Sequence, residues 1–154
     1  MKKIYSFEDK CLGCKLCEVY CKTARSKSKN IIKANKEENI DSAIIVEKTN
    51  KDTHFALQCR HCTDAKCIKA CISGAIFKDE IGIVRYDKEK CVSCLSCVLV
   101  CPFGAVRKSD FNSTVTKCDL CFSTGKPLCV SNCPNDAIKF LDEKEIDDRM
   151  EIVK

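Results

Sequence analysis

The chain has 154 residues, a formal net charge of +5 and 16 cysteines. This proportion of cysteine is typical either of a disulfide scaffold in a secreted protein or of metal ligands in a reducing compartment. The N-terminal residues show no apolar signal-peptide core, and no segment approaches the ~20 apolar residues that cross a bilayer. We therefore expect a cytoplasmic protein without membrane insertion, whose grouped cysteines bind metal.

The cysteines form four sets of four along the chain. The sets are Cys11, Cys14, Cys17 and Cys21; Cys59, Cys62, Cys67 and Cys71; Cys91, Cys94, Cys97 and Cys101; and Cys118, Cys121, Cys129 and Cys133. The first and third have the spacing C-x2-C-x2-C-x3-C of bacterial ferredoxins, and the other two widen the middle gap. A loop with this spacing places three thiolates around one [4Fe–4S] cubane, and the fourth cysteine, where we expect a helix to begin, reaches a different cluster. Four clusters are therefore predicted, with no cysteine left over.

The segments between the sets predict short strands joined by turns. Residues 22–38 are basic and polar, which predicts a solvated loop or, alternatively, a docking surface for an acidic partner. The segments AIIVEK (43–48) and THFALQ (53–58) predict two strands separated by a polar turn. Residues 75–87 predict a hairpin, and residues 106–117 predict a second one.

A short turn and an apolar pair follow the last cysteine of the second, third and fourth sets. The pairs are Ala75-Ile76, Ala105-Val106 and Ala137-Ile138. Because the three pairs occupy equivalent positions, they indicate an internal repeat in which a strand leaves each cluster loop.

The C-terminal residues 141–154 predict a helix or tail. Asp142 and Glu145 have the spacing of a capping box, and Leu141 with Ile146 fits a hydrophobic staple. One face of this helix would carry the apolar residues Ile146, Met150 and Val153. Such a face packs against its own domain or, alternatively, against a partner subunit.

Other kinds of cysteine site fit the pattern less well. Tetrahedral zinc and a disulfide framework also use cysteines, but four complete quartets favour iron–sulfur clusters over both. A [3Fe–4S] cluster would require a missing ligand, and none is missing. Bound clusters turn the thiols into thiolates and lower the net charge to about −3, so we do not expect nucleic-acid binding. Because the sequence has no tryptophan and few aromatic residues, we expect cluster binding to supply much of the folding free energy.

Residues outside the cysteine sets offer no reaction site. His61 lies inside the CRHC segment and His54 shortly before it, and both are expected to have structural or hydrogen-bonding roles because every quartet is full. Arg60 is expected to be a solvated surface residue or, alternatively, to raise the potential of a nearby cluster. The chain contains no nucleotide-binding fingerprint and no plausible Ser/His/Asp or Cys/His set. We therefore predict an electron carrier that is not itself an enzyme.

Four segments of the chain resemble a known family. They are KCLGCKLCEVYC, CRHCTDAKCIKACISGAI, KCVSCLSCVLVCPFGAV and KCDLCFSTGKPLCVSNCPNDAI. They resemble the four-cluster ferredoxin-type subunits of molybdenum or tungsten oxidoreductases, such as formate dehydrogenases and dimethyl sulfoxide reductases. The short members associated with hydrogenases, formate dehydrogenases and carbon monoxide dehydrogenase are the most similar. The resemblance runs from about Lys10 to Phe140, and departs from the family where Lys22 and Ile72 replace the proline after a fourth cysteine.

The resemblance implies how the cysteines are shared among four cluster sites. Site 1 would have the ligands Cys11, Cys14, Cys17 and Cys133; site 2, Cys118, Cys121, Cys129 and Cys21; site 3, Cys59, Cys62, Cys67 and Cys101; and site 4, Cys91, Cys94, Cys97 and Cys71. In the family the four clusters lie in a chain, so an electron enters at one end and leaves at the other.

The predicted fold is α+β, with two ferredoxin-like units in pseudo-twofold relation and two [4Fe–4S] clusters in each. Residues 1–154 would form a single polyferredoxin domain, with an inner unit at about 55–106 and an outer unit from about 5–25 plus 112–140. Residues 141–154 would follow as the C-terminal helix or tail.

The predicted function is electron transfer within a cytoplasmic oxidoreductase complex. The chain would connect a catalytic subunit of the formate dehydrogenase, hydrogenase or carbon monoxide dehydrogenase type to a second electron-carrier subunit. A freely diffusing polyferredoxin is the first alternative, and a zinc-binding interaction module is the second. Assembly into larger oligomers is compatible with each.

Overall fold

Short antiparallel strand pairs and short helices make up the structure, a computed structural model that describes residues 1–36, 38–49, 52–122, 124–142 and 145–146. Its helices include Leu16–Arg25 (α1), Ile31–Lys36 (α2), Lys66–Lys69 (α3), Ser96–Leu99 (α4) and Leu128–Ser131 (α5). Its strands include Lys3–Ser6 (β1), Ile44–Lys48 (β2), His54–Gln58 (β3), Ile76–Lys78 (β4), Val84–Tyr86 (β5), Arg107–Lys108 (β6), Val115–Thr116 (β7) and Ile138–Leu141 (β8). A 3-10 helix spans Glu8–Lys10. The predicted α+β class is confirmed.

Three of the strand pairs are the local hairpins that the sequence predicts. Strand β2 pairs with β3, β4 with β5, and β6 with β7, each antiparallel. In the β4–β5 turn Gly82 has a φ of +87°, which glycine adopts without a steric penalty. An isolated two-stranded hairpin is only marginally stable in water, so each pair depends on what packs against it.

Strand β1 was not predicted, and it joins the two ends of the described chain. It pairs with β8 in a register that runs from Lys3↔Leu141 to Ser6↔Ile138. Side chains then tie β1 to β3, because Gln58 Nε2 donates a hydrogen bond of 2.9 Å to the carbonyl of Ile4. The cysteine set nearest the N-terminus is thereby held beside the set nearest the C-terminus.

The helices begin at one shared position in the four cysteine sets. The third cysteine of each set is the second residue of its helix, and these cysteines are Cys17, Cys67, Cys97 and Cys129. The expectation that a helix begins at the fourth cysteine is therefore wrong by about one turn. The third and fourth cysteines are four residues apart, so a helical turn separates them and places them on the same side.

The prediction of a solvated loop for residues 22–38 is wrong for most of that segment. Helix α1 continues to Arg25, and α2 follows after a short connection with Ala34 fully buried. Asn30 caps α2, since its side-chain oxygen accepts hydrogen bonds from the N–H groups of Ile32 at 3.0 Å and Lys33 at 3.1 Å. Several polar residues of this segment therefore have structural roles.

Small residues and cysteines fill much of the interior. A larger buried cluster contains Ile4, Cys17, Cys21, Ala43, Ile44, Ala56, Cys59, Ile83, Ala105, Cys118, Leu120, Cys129 and Ile138. A smaller one contains Ala65, Ile76, Val84, Cys97, Val106 and Val115. The thiols are thus part of the core, which contains few large apolar side chains.

Half of the predicted capping box is present at the end of the described chain. The carboxylate of Glu145 accepts a hydrogen bond of 2.7 Å from the backbone N–H of Asp142. Ile146 is helical and half-buried, and its predicted staple with Leu141 stays a prediction, whereas Met150 and Val153 lie outside the described residues. Among the helices described here, none has the length and apolarity required to span a membrane.

Candidate metal centres

Three of the four predicted ligand sets each line a common cavity. The four cysteines of site 3 surround a cavity of about 180 Å³. Those of site 1 line one of about 20 Å³, and those of site 4 line one of about 10 Å³. In every case the structure places the fourth cysteine of one set beside the first three cysteines of another.

The cysteines predicted for site 2 are packed together in the interior. Cys21, Cys118 and Cys129 are all buried in the larger core, and Cys121 is half-buried. Burial raises the pKa of Cys129, and negative charge on Cys118 and Cys21 raises it further. The pKa of Cys121 is likewise raised by burial and by charge on Cys21. These thiols are therefore close enough to interact electrostatically.

The loops of the first and third sets share an unusual backbone. Gly13 and Lys15 have φ values of +70° and +59°, and Ser93 and Leu95 at the equivalent positions both have +59°. Left-handed residues other than glycine cost about 1–2 kcal/mol each. Both loops have left-handed residues at equivalent positions. We therefore attribute this conformation to the way the loop arranges its cysteines, and not to local packing that differs between the two loops.

Backbone N–H groups point at several cysteine sulfurs. Ala43 donates to the sulfur of Cys21 at 3.2 Å, and Ile76 donates to that of Cys71 at 3.4 Å. Such hydrogen bonds stabilise a sulfur that carries negative charge. Both acceptors are the fourth cysteines of their sets. Backbone N–H groups that follow the helix in sequence therefore help to stabilise the thiolate forms of these cysteines.

The buried thiols require a metal in order to ionise. Burial raises the pKa of Cys17 to about 12 and that of Cys97 to about 11. At neutral pH these groups would stay protonated, whereas coordination to a metal removes the proton outright. Among the described residues no three His, Cys, Asp or Glu side chains meet as a site for a single ion. Four thiols spread around a cavity are instead the donor set that a multi-iron cluster takes.

His61 has the hydrogen-bonding role that the sequence predicts, and leaves one donor without a partner. Its Nδ1 accepts a hydrogen bond of 3.1 Å from the N–H of Val84. Burial, followed by the charges on Lys117 and Arg85, lowers its pKa to about 3, so the ring is neutral and Nε2 carries the proton. That Nε2 is buried and has no hydrogen-bond partner among the described residues. A sulfur of a cluster beside the CRHC loop would provide a suitable acceptor.

His54 and Arg60 pack against cluster loops. The ring of His54 lies against Gly13, where an added Cβ would be 2.7 Å from its Cδ2 atom. Arg60 lines the cavity of site 3 and lies over the ring of Phe103, 4.5 Å from its centroid. Arg60 is exposed, which confirms the predicted surface position.

Replacing Gly13 with alanine is expected to destabilise the loop of site 1 because of the contact with His54. Alanine is strained by about 1–2 kcal/mol at a left-handed position, and overpacking against the imidazole adds about 1–3 kcal/mol. Gly74→Ala is the matched control, since Gly74 has a φ of +66° but no atom within 4 Å of the added Cβ. Thermal unfolding and iron content of the two variants measure the difference. Equal losses in both variants would show that the His54 contact has no effect.

Two basic residues that contact the backbone of the fourth cysteine set were not predicted. Lys117 is 3% exposed and Arg85 is half-buried. Lys10 and Lys90 also precede a cysteine set directly, yet both are exposed. A lysine before the first cysteine is thus not by itself a signal of burial.

Comparisons with known proteins agree with this description of the site. The model of the 4Fe-4S dicluster domain family matches residues 50–143. The thiosulfate reductase electron transfer subunit PhsB of Salmonella typhi is 36% identical, over 90% of this chain and 76% of that protein. One polypeptide of the anaerobic dimethyl sulfoxide reductase of Escherichia coli (strain K12) is 32% identical, over 85% of this chain and 68% of that protein.

Two further proteins are similar over most of the chain. An iron-sulfur protein of Rhodospirillum rubrum is 36% identical, over 90% of this chain and 81% of that protein. One polypeptide of the active site complex BamBC of benzoyl coenzyme A reductase with benzoyl-CoA is 26% identical, with a TM-score of 0.49 over 99% of this chain and 88% of that one. From the family match and the curated relatives, the chain belongs to the 4Fe-4S dicluster domain family of ferredoxin-type electron-transfer proteins, and its cofactors are four [4Fe–4S] clusters.

Proposed function

We propose that the chain conducts electrons between two proteins through sites 1, 2, 3 and 4 in that order. The observation that carries the proposal is the grouping, at three cavities, of Cys71, Cys101 and Cys133 each with the first three cysteines of a different set. Each cluster, once bound, accepts and releases one electron. Because the cofactors are [4Fe–4S] clusters, a zinc-binding interaction module is no longer an alternative function.

Neighbouring sites are linked by pairs of cysteines one helical turn apart. Cys17 and Cys21 on α1 belong to the proposed sites 1 and 2. Cys67 and Cys71, on and just after α3, belong to sites 3 and 4. Because only one turn separates the members of a pair, each helix holds two adjacent sites at short range.

Sites 2 and 3 meet in the larger core. Cys118 of site 2 and Cys59 of site 3 are both buried there. Burial raises the pKa of Cys118, and negative charge on Cys21 and on Cys59 raises it further. The interaction between Cys118 and Cys59 supports a contact between the proposed inner and outer units. The pairing of β1 with β8 supports an outer unit made of about 5–25 plus 112–140, beside an inner unit at about 55–106.

Exposure of the second cysteine distinguishes the terminal sites from the central ones. Cys14 and Cys94 are exposed, whereas Cys62 and Cys121 are half-buried. The residues Leu12 and Val92, two positions earlier, are 66% and 60% exposed. Apolar side chains beside an accessible ligand suit a protein interface, so partners would dock at sites 1 and 4.

The proposed partners are a catalytic oxidoreductase subunit at one end and a second electron-carrier subunit at the other, in the cytoplasm. The motifs favour a catalytic subunit of the formate dehydrogenase, hydrogenase or carbon monoxide dehydrogenase type. The similar proteins add thiosulfate reductase and dimethyl sulfoxide reductase to the candidates. The chain would itself have no catalytic site, since its chemistry-bearing thiols are assigned as cluster ligands.

Anaerobic purification of the native protein from its own cells tests this function. We expect about sixteen iron and sixteen sulfide atoms per chain, together with a co-purifying catalytic subunit. Size-exclusion of the same material should give a peak well above the mass of one chain. A lone single-chain peak with full iron content would favour the freely diffusing polyferredoxin instead. An iron content near eight would contradict the four-cluster assignment.

A further inference from the structure

Lys117 is a buried lysine whose ammonium group has no carboxylate partner among the described residues. Its side chain is 3% exposed, and Nζ donates hydrogen bonds to the carbonyls of Val84 at 2.6 Å and Cys118 at 2.7 Å. Removing an ammonium group from water is strongly unfavourable unless a negative charge lies close by. The two carbonyl dipoles supply only part of that compensation.

The two acceptors of Lys117 belong to different cluster sites. Cys118 is a proposed ligand of site 2, and Val84 lines the cavity that the thiols of site 3 surround. The Nζ of Lys117 thus contacts the backbone of a site 2 ligand on one side and the backbone of a residue that lines site 3 on the other. Lys117 therefore lies between the two central sites and interacts with both.

Other basic groups in this region are compensated, neutral or less buried: Arg25 is half-buried and Arg60 is exposed. Arg85 forms an ion pair of 2.6 Å with Asp79 and lies 3.7 Å from the centroid of the Phe122 ring. His61 is neutral, because its Nδ1 accepts a hydrogen bond from the N–H of Val84 and so carries no proton. Among the described residues around sites 2 and 3, Lys117 is thus the buried cation that still requires a counter-charge.

We propose that Lys117 is the counter-charge of the clusters at sites 2 and 3 and raises the reduction potentials of both. This inference rests on the proposed function, because it requires clusters at these two sites. A cluster gains negative charge when it is reduced, and a cation held nearby in a medium of low dielectric constant stabilises the reduced form. The anionic clusters in turn provide the negative charge that makes burial of the ammonium favourable.

Redox titration of the full-length holoprotein, monitored by electron paramagnetic resonance, tests the role of Lys117. In Lys117→Met we expect two of the four clusters to become at least tenfold harder to reduce, which is about 59 mV for a one-electron couple. The reduction equilibria of the other two clusters should each change by less than threefold. Lys117→Arg keeps the charge and should keep all four potentials. Lys126→Met removes an exposed lysine within the fourth cysteine set and is the matched surface control.

The other possible results of this titration also support or contradict the proposed role of Lys117. A fully loaded Lys117→Met protein with four unchanged potentials would overturn it, as would equal shifts in the Lys126→Met control. If Lys117→Met does not retain iron, Lys117→Gln is measured, because an amide can still donate to one of the carbonyls. If Lys117→Arg retains iron and neither neutral variant does, the clusters require the positive charge, which supports the proposal. Loss of iron from all three variants contradicts the proposal. The iron content of the wild-type protein tests the proposed function separately.

Discussion

Removal of the iron and sulfide is expected to abolish the cooperative thermal transition of the protein. Six of the buried residues that form the interior are cysteines: Cys17, Cys21, Cys59, Cys97, Cys118 and Cys129. The strand pairs have only two strands each, and such pairs are marginally stable without a partner surface. Cluster binding therefore has to contribute folding free energy, as metal binding does in other small metalloproteins.

Calorimetry of the holoprotein and of anaerobic, chelator-treated and reduced apoprotein measures this effect. We expect a sharp endotherm in the first sample and a broad or absent one in the second. Adding back ferrous iron and sulfide should restore the endotherm, which controls for damage during treatment. A sharp transition in iron-free protein would show that the apolar residues alone specify the fold.

The second large effect is expected from replacing a buried cysteine ligand with serine. Cys129→Ser should remove the cluster of site 2 and lower the iron content from about sixteen to about twelve atoms. Cys129 is 5% exposed, so the unpaired hydroxyl group also costs about 1–3 kcal/mol of stability. Loss of a central site would interrupt electron transfer between the two ends of the chain.

Cys14→Ser is the matched control for this substitution. It makes the same chemical change at a terminal site, where Cys14 is exposed and water hydrates the hydroxyl group. We expect it to affect site 1 alone and to cost less stability than Cys129→Ser. Iron analysis and thermal unfolding compare the two variants directly. Equal destabilisation would mean that burial of the ligand does not determine its contribution.

Features encoded within about fifteen residues could be predicted from the sequence. The hairpins at 75–87 and 106–117 are present because both of their strands and the turn lie in one short segment. The donor type and cofactor class follow in the same way, since the spacing within one cysteine set already matches the loop around a cubane. The motif resemblance supplied the pairing of sets, which stays a prediction that the cavities support.

Features that depend on distant contacts could not be predicted. Strand β1 has four residues, and its partner β8 lies at the other end of the described chain, so no local pattern marks the pair. The basic stretch after Cys21 has a composition typical of loops, yet packing against α1 buries Ala34 and forms a helix there. In both cases a tertiary contact outweighs the local preference.

By itself the sequence determined the sixteen thiols, their spacing and thus the chemistry of the cofactor, because ligand identity and loop length are local properties. Only the tertiary structure decided that Lys117 is buried while Lys10 and Lys90, each also directly before a cysteine set, are exposed. The same is true of Cys14 and Cys94, which are exposed although their neighbours in each set are partly covered. Burial depends on which distant segments pack around a residue, and that environment sets the charge and accessibility of each site.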